Sequence, residues 1–209
     1  DYERRTKEKL ETLDLTDYHN IQKSYFYRAI LIVLEATRNF ALRYAKLAAS
    51  MVETTTDEQR KEELGEMSRI LKKVPYEPAD TFQEALQSIW IVHLAMQIES
   101  NGHSYSYGRM DQYLNPYYEN DLKKGLIDEA EACELMCNLW MKTYTINKIR
   151  SWSHTQFSAG SPLYQNVTIA GQTTDGEDAT NAMSWLILKS VAQCHLVQPN
   201  LTVRFHNGL

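Results

Sequence analysis

The strongest constraint on the fold is a hydrophobic repeat through residues 18 to 51. Ile21, Tyr25, Ala29, Ile32, Ala36, Phe40, Tyr44 and Leu47 recur every three or four residues. That spacing is the period of an amphipathic helix, not a strand. A run this long predicts one or two helices and commits the first third of the chain to helical packing. Thr56 and Gln59 stand at capping-box spacing ahead of Leu64, Met67, Ile70 and Leu71, a second helix that ends before Pro75. Pro75 and Pro78 bracket a short extended linker, because the residue before a proline avoids the helical region.

Thr81 and Glu84 form another capping-box pattern. The helix behind them carries Phe82, Leu86, Ile89, Trp90, His93, Met96 and Gln97, with Ile91 and Val92 widening the apolar face toward deep burial. It stops near Asn101-Gly102, a pair that accepts the left-handed conformation of a helix end. Ile127 to Asn147 reads as a helix with Asp128 and Glu129 in its first turn, where the helix dipole favours acids. Residues 150 to 164 show no period. Val167 to Ile169 reads as a short strand and Gly171 to Gly176 as a turn. Ala179 to Cys194 makes a last helix, and Leu201 to Phe205 a strand by composition. The class is α/β and mostly helical, in one partial domain over residues 1–209 with no separable second domain.

Charge and cysteine content narrow the function. The 22 basic and 27 acidic residues leave a net charge of -5, so nothing draws the chain to nucleic acid. No apolar run approaches a membrane span. Three cysteines are too few, and odd in number, for a disulfide framework, which points to a reducing cytoplasm. The chain opens on Asp1 and stops just after an apolar strand-like run, so a piece of a longer protein is expected.

His103-Ser104 is the sharpest local feature. It follows a helix stop and a glycine, where side chains can project into a cavity. An imidazole beside a hydroxyl suits holding and deprotonating an alcohol. A solvent-exposed loop pair fits the same residues. Phe157 to Tyr164 is a loop with aromatic ends, equally suited to wall a pocket or to tuck Tyr164 into the core. Cys133 and Cys137 share a helix face with no ligand partner at metal spacing, so they read as small buried hydrophobes. His93, on an apolar face, reads as a satisfied core histidine.

The run Asn101-Gly-His-Ser-Tyr-Ser-Tyr-Gly-Arg-Met-Asp-Gln-Tyr-Leu-Asn-Pro-Tyr-Tyr118 resembles a signature of the glycyl radical enzymes, the pyruvate formate-lyase superfamily. Pro78 to Gln87, Asp121 to Gly125, Tyr164 to Gly176 and Gln198 to Arg204 agree with it in the family's order. The resemblance implies a barrel of two half-sheets wrapped by helices. Two finger loops meet at its centre, one with a thiyl-forming Cys and one with the radical-storing Gly. It implies an organic glycyl radical installed by an S-adenosylmethionine/iron-sulfur activating enzyme, no metal in this chain, a small-molecule substrate, a homodimer and a cytoplasmic location. Both finger loops are missing here, so no catalytic residue is expected in these 209 positions, and the piece alone is expected to be inactive.

The family's diol dehydratases hold substrate hydroxyls with a Gly-His-Ser run, which maps to His103 and Ser104. Tyr164 falls at an aromatic pocket wall, and Phe157 at a second, less securely matched one. Asn115 departs from the family, which has an aromatic before that proline. The implied chemistry is radical C–O elimination from a small diol such as glycerol or propane-1,2-diol. A His–Ser pair would lower the cost of charge developing on oxygen. The alternatives are formate C-acetyltransferase, a C–S or C–N lyase of the same family, an arylacetate decarboxylase, or a degenerate helical interaction module.

Overall fold

A computed structural model describes residues 1–100, 104–149, 151–158 and 163–206, without the side chains of 157 and 158. The chain divides into two compact units, Asp1–Ala79 and Asp80–Leu209.

The first unit is three helices: α1 (Tyr2–Glu11), α2 (Tyr18–Thr54) and α3 (Glu58–Lys73). The long repeat is one helix of 37 residues, about 55 Å at 1.5 Å per residue. Asp17 caps it by accepting from the His19 N–H at 2.9 Å. The buried face differs from the expected one. Ser24, Ala41, Ala45 and Ala48 are buried, whereas Tyr25, Ile32, Tyr44 and Leu47 lie exposed on the other side. α2 packs on α1 and α3, and the small residues explain the choice, because alanines let helix backbones approach closely. α3 is capped by Asp57, which accepts from the Arg60 N–H at 3.0 Å, one residue later than the Thr56 box predicts. Val74 is extended (φ -97, ψ 149), as a residue before proline must be. Residues 74–76 then turn instead of continuing as the expected extended linker.

The second unit runs α4 (Phe82–Ser100), β1 (Gly108–Arg109), α5 (Met110–Lys124), α6 (Glu129–Thr145), α7 (Trp152–Ser158), β2 (Asn166–Ala170), α8 (Ala182–Cys194) and β3 (Asn200–Arg204). Its three strands form one parallel sheet in the order β1-β2-β3. Gly108 is in register with Val167, and Val167 with Leu201. α5 packs on β2 and α8, and α6 on α8. The core between them holds Met110, Leu114, Met136, Trp140, Val167, Met183 and Ile187, each at most 1% exposed. Val167 and Ile169 face this core by the two-residue period of a strand.

Capping residues fix where these helices start. The Thr81 hydroxyl accepts from the Glu84 N–H at 3.2 Å, while the Glu84 carboxylate reaches back to the Asp80 N–H at 2.8 Å. Asp128, expected inside the first turn of α6, is its cap and forms a reciprocal box with Glu131. α5 is invisible to periodicity because Pro116 sits inside it, and α7, seven residues long, is too short to show a period. On α4, Ile91, His93 and Gln97 are buried, but Val92 and Met96 are exposed and Trp90 is only half-buried. The face is therefore narrower than expected. Among the described residues, no helix is long and apolar enough to cross a membrane, and no cluster of His, Cys, Asp or Glu is set to hold a metal.

Candidate functional site

Parallel pairing gathers the chain segments that lead into β1, β2 and β3 at one end of the sheet. The ladder continues into these segments. Tyr107 N–H donates to Asn166 O at 3.0 Å, Asn200 N–H to Gln165 O at 3.1 Å, and Ser104 N–H to Leu163 O at 2.7 Å. Ser104, just ahead of β1, and Tyr164, just ahead of β2, are thereby brought together. Both are exposed, and both have left-handed backbones, φ 63 and φ 54. That conformation is uncommon for a residue with a Cβ and is a true outlier for one as bulky as tyrosine. Ala170 and His195 share the left-handed conformation, φ 60 and φ 49, but among the described residues only Ser104 and Tyr164 stand on adjacent segments at this end of the sheet, next to the Ser104 N–H to Leu163 O bond.

The other two expected site residues stand differently. His103 lies outside the described residues. Phe157 belongs to α7, and its side chain lies outside the description.

A buried polar cluster lies behind the Ser104–Tyr164 edge. Gln165 is 1% exposed. Its Oε1 lies 2.6 Å from His93 Nε2, and its Nε2 donates to Thr143 O at 3.1 Å. The carboxamide oxygen needs a donor, so His93 carries its proton on Nε2. Gln97 Nε2, 3.3 Å from the same nitrogen, finds no acceptor there. Burial lowers the proton affinity of His93; the Gln165 bond opposes this, and the charge of Lys148 adds to it. The ring is therefore neutral near pH 7. It stacks on Tyr107 with centroids 4.4 Å apart. Tyr107 shares a 2.8 Å hydrogen bond with the Thr143 hydroxyl and accepts one at its carbonyl from the Tyr113 hydroxyl at 2.9 Å. Burial pushes both phenols well above their ordinary pKa. Gln198 closes the cluster. Its carboxamide either accepts from Gln165 Nε2 at 3.1 Å or, with the oxygen turned to the loop, accepts from the Tyr164 N–H at 3.1 Å and the Leu163 N–H. Either orientation ties the residue ahead of β3 to segment 163–165.

The rest of the Gly-Arg-Met-Asp-Gln signature is scaffold. Arg109 donates to Ala170 O at 2.8 Å and to Gln172 O at 3.2 Å. Asp111 Oδ2 accepts from the Ala170 N–H and the Ser184 hydroxyl, both at 2.6 Å. Gln112 donates to Ala179 O at 2.8 Å. These bonds fix the end of β2, where Gly171 (φ +88) leaves room for the Arg204 side chain, 3.1 Å from where a Cβ would sit. Asn115 accepts from the Met183 N–H at 3.2 Å, which places it against the start of α8 and away from the Ser104–Tyr164 edge. Cys133 and Cys137 are buried on α6; Cys137 lies 3.7 Å from Ser190 O.

Sequence reading assigned no role to Gln165 and Gln198, and read His93 only as a satisfied core histidine, which the cluster bears out. A signal for the two glutamines is present in retrospect. Each stands just ahead of an apolar strand that opens with asparagine, a position where an uncharged buried amide can bridge adjacent segments.

The sequence matches the pyruvate formate lyase-like family over residues 1–209. It is 46% identical over 206 residues to a probable dehydratase, YbiW, of Escherichia coli (strain K12), which covers 97% of this chain and 25% of that protein. It is 41% identical over 204 residues to the isethionate sulfite-lyase of Nitratidesulfovibrio vulgaris, covering 96% of this chain and 24% of that one. The solved structure describing 1,2-propanediol dehydration in Roseburia inulinivorans superposes with a TM-score of 0.95 at 40% identity, over 99% of this chain and 25% of its own. The chain thus spans about a quarter of the length of the relatives it matches.

Proposed function

Because this chain belongs to the pyruvate formate lyase-like family, that of the glycyl radical enzymes, we propose that it supplies one wall of the substrate site of a glycyl radical lyase, a dehydratase acting on a small diol such as propane-1,2-diol or glycerol. The observation that carries this reading is that Ser104 and Tyr164, both exposed and both left-handed, lie on adjacent segments at one end of the sheet, tied by the Ser104 N–H to Leu163 O bond. It agrees with the dehydratase and propanediol names among the relatives. His103 beside Ser104 completes the proposed hydroxyl-binding pair, and Phe157 belongs to the same wall in this reading.

In this reading the radical chemistry is left to the rest of the whole protein. Cys133 and Cys137 do not fit that chemistry: both are buried in a helix. Burial, with the neighbouring Cys194 and Cys133 thiols, pushes Cys137 up to about 12, so it stays a thiol. When present in the whole protein, a glycyl radical supplies hydrogen-atom abstraction from the substrate carbon. This chain's residues bind and orient. A serine hydroxyl and a phenol offer neutral hydrogen bonds to substrate oxygens, and such bonds strengthen as charge develops there. A radical S-adenosylmethionine activating enzyme as partner, a homodimeric whole protein and a cytoplasmic location are part of the same proposal.

A second reading, C–S cleavage of isethionate, is favoured by the 41% identity to an isethionate sulfite-lyase. A sulfonate calls for a cation, and segments 104–107, 163–165 and 198–200 contribute neither Lys nor Arg. The test is anaerobic activation of the full-length protein, followed by electron paramagnetic resonance for the glycyl radical. Propane-1,2-diol, glycerol and isethionate are then offered in turn. An aldehyde from a diol supports the dehydratase. Sulfite from isethionate supports the second reading. No radical in folded, intact protein defeats both.

A further inference from the structure

Tyr164 holds a left-handed backbone, φ 54, a conformation rare for a residue of its bulk. The next residue is firmly held. The Gln165 side chain is gripped by His93 and Thr143 O, with Gln198 against it. Its backbone carbonyl accepts from the Asn200 N–H. At 1% exposure the amide cannot trade these partners for water. The other side of the site leans on the same imidazole. His93 stacks on Tyr107 at 4.4 Å with the rings 22° from parallel. Tyr107 in turn donates its N–H to Asn166 O, three residues after Ser104. One neutral ring therefore contacts the segment behind Ser104 by stacking and the segment behind Tyr164 by a hydrogen bond.

We infer that His93 and Gln165 are a buried positioning pair that sets the backbone beneath Ser104 and Tyr164, and through it the fit of substrate against that wall. The inference rests on the reading of Ser104 and Tyr164 as substrate contacts. Neither His93 nor Gln165 touches substrate in this arrangement; both act through the residues they hold. The neutral imidazole donates steadily through Nε2, and the tightness of the 2.6 Å contact leaves the carboxamide little freedom to turn. A displacement of the wall of the order of 1 Å is enough to change a rate by ~10²-fold, because catalysis depends on near-attack geometry.

The test uses the full-length protein, activated anaerobically, with whichever of propane-1,2-diol, glycerol and isethionate the wild type turns over. His93→Phe keeps an aromatic ring on Tyr107 and removes the Nε2 donor. His93→Gln puts a donor back. Gln165→Met keeps the volume and removes the amide. The glycyl radical signal reports that fold and activation survive. With that signal at the wild-type level, His93→Phe and Gln165→Met are expected to raise KM or lower kcat/KM by roughly ten- to a hundredfold, and His93→Gln is expected to recover most of the loss. A merely structural histidine gives no such rescue. Ser104→Ala and Tyr164→Leu are run alongside. If they alter turnover while His93→Phe leaves kcat/KM within twofold, the positioning role is wrong and the wall stands. If both are silent, the wall is wrong and the positioning inference falls with it. Should the His93 and Gln165 variants lose the radical altogether, amide exchange on the wild type decides. Peptides covering 104–107 and 163–166 are expected to be as protected as β2, and rapid exchange in either overturns the inference.

Discussion

Replacing Asp111 by alanine tests whether the signature is scaffold. The carboxylate is fully buried. One oxygen, Oδ2, accepts from the Ala170 N–H and from the Ser184 hydroxyl at 2.6 Å each, and Oδ1 has no partner among the described residues. Asp111 O also accepts from Asn181 Nδ2 at 3.2 Å, which sets the residue at the first turn of α8, where the helix dipole favours a negative charge. Asp111→Ala strands a buried backbone N–H, at ~1–3 kcal/mol, and removes a charge-assisted bond to a hydroxyl, at ~1.5–3 kcal/mol. A combined local cost of ~2.5–6 kcal/mol corresponds to a roughly 10²- to 10⁴-fold rise in opening of the β2 end. Asp111→Asn keeps an oxygen at the Oδ2 position and exchanges one unpartnered atom for another, so only the charge assistance is lost, ~1–2 kcal/mol. The assay is amide exchange on the peptide spanning 166–172 of the full-length protein, compared across wild type and both variants. Exchange in the alanine variant within threefold of wild type refutes the assignment. So does an asparagine variant as open as the alanine one, since the acceptor geometry would then be irrelevant.

Further outcomes follow from other buried groups. Burial pushes the Cys137 thiol up, so at pH 8 Cys137 is expected to alkylate much more slowly than an ordinary thiol, because only the thiolate reacts; mass-spectrometric rates on native protein check this. Burial lowers the pKa of His93. Its contribution to stability is therefore complete above about pH 6.5, the pKa of an unfolded imidazole, and declines as pH falls toward the folded value. Thermal scans are expected to show an acid-side slope that shrinks in His93→Phe. Trp140, fully buried, donates its indole N–H to the Ser190 hydroxyl at 2.8 Å. Trp140→Phe leaves that hydroxyl without its donor and a void beside α8, costing ~1–3 kcal/mol, seen as faster exchange in α6 and α8.

Much of this architecture was legible in the chain, and the exceptions have physical causes. The repeat through residues 18–51 announced a helix, but α2 is apolar on two sides. Period alone cannot say which side packs. The alanines at 41, 45 and 48, weak in hydrophobicity, won because they allow close approach. α5 hid behind Pro116, and α7 behind its own brevity. Ser104 and Tyr164 were singled out through the family resemblance, and the structure sets their segments side by side. Their left-handed backbones were not, because neither is a glycine or asparagine. Gln165 escaped notice because a buried amide looks in sequence like any surface glutamine. Its partners His93, Thr143 and Gln198 lie 72, 22 and 33 positions away, and only the parallel sheet brings them together.

Fold and the proposed substrate contact are separable at Ser104, and that separation can be measured. Ser104 enters the fold through its backbone: its N–H donates to Leu163 O, and its carbonyl accepts from the Ser106 hydroxyl. Among the described residues its own hydroxyl makes no hydrogen bond. Ser104→Ala should therefore fold and form the glycyl radical in the full-length protein while losing diol turnover. Ser104→Gly should be slightly more stable than the alanine variant, because φ 63 costs a residue with a Cβ ~1–2 kcal/mol and a glycine almost nothing. Turnover should be equally poor in both if the hydroxyl contacts substrate. If glycine restores turnover that alanine lacks, backbone geometry at this point matters and the hydroxyl does not, and the hydroxyl-binding role assigned to Ser104 is refuted.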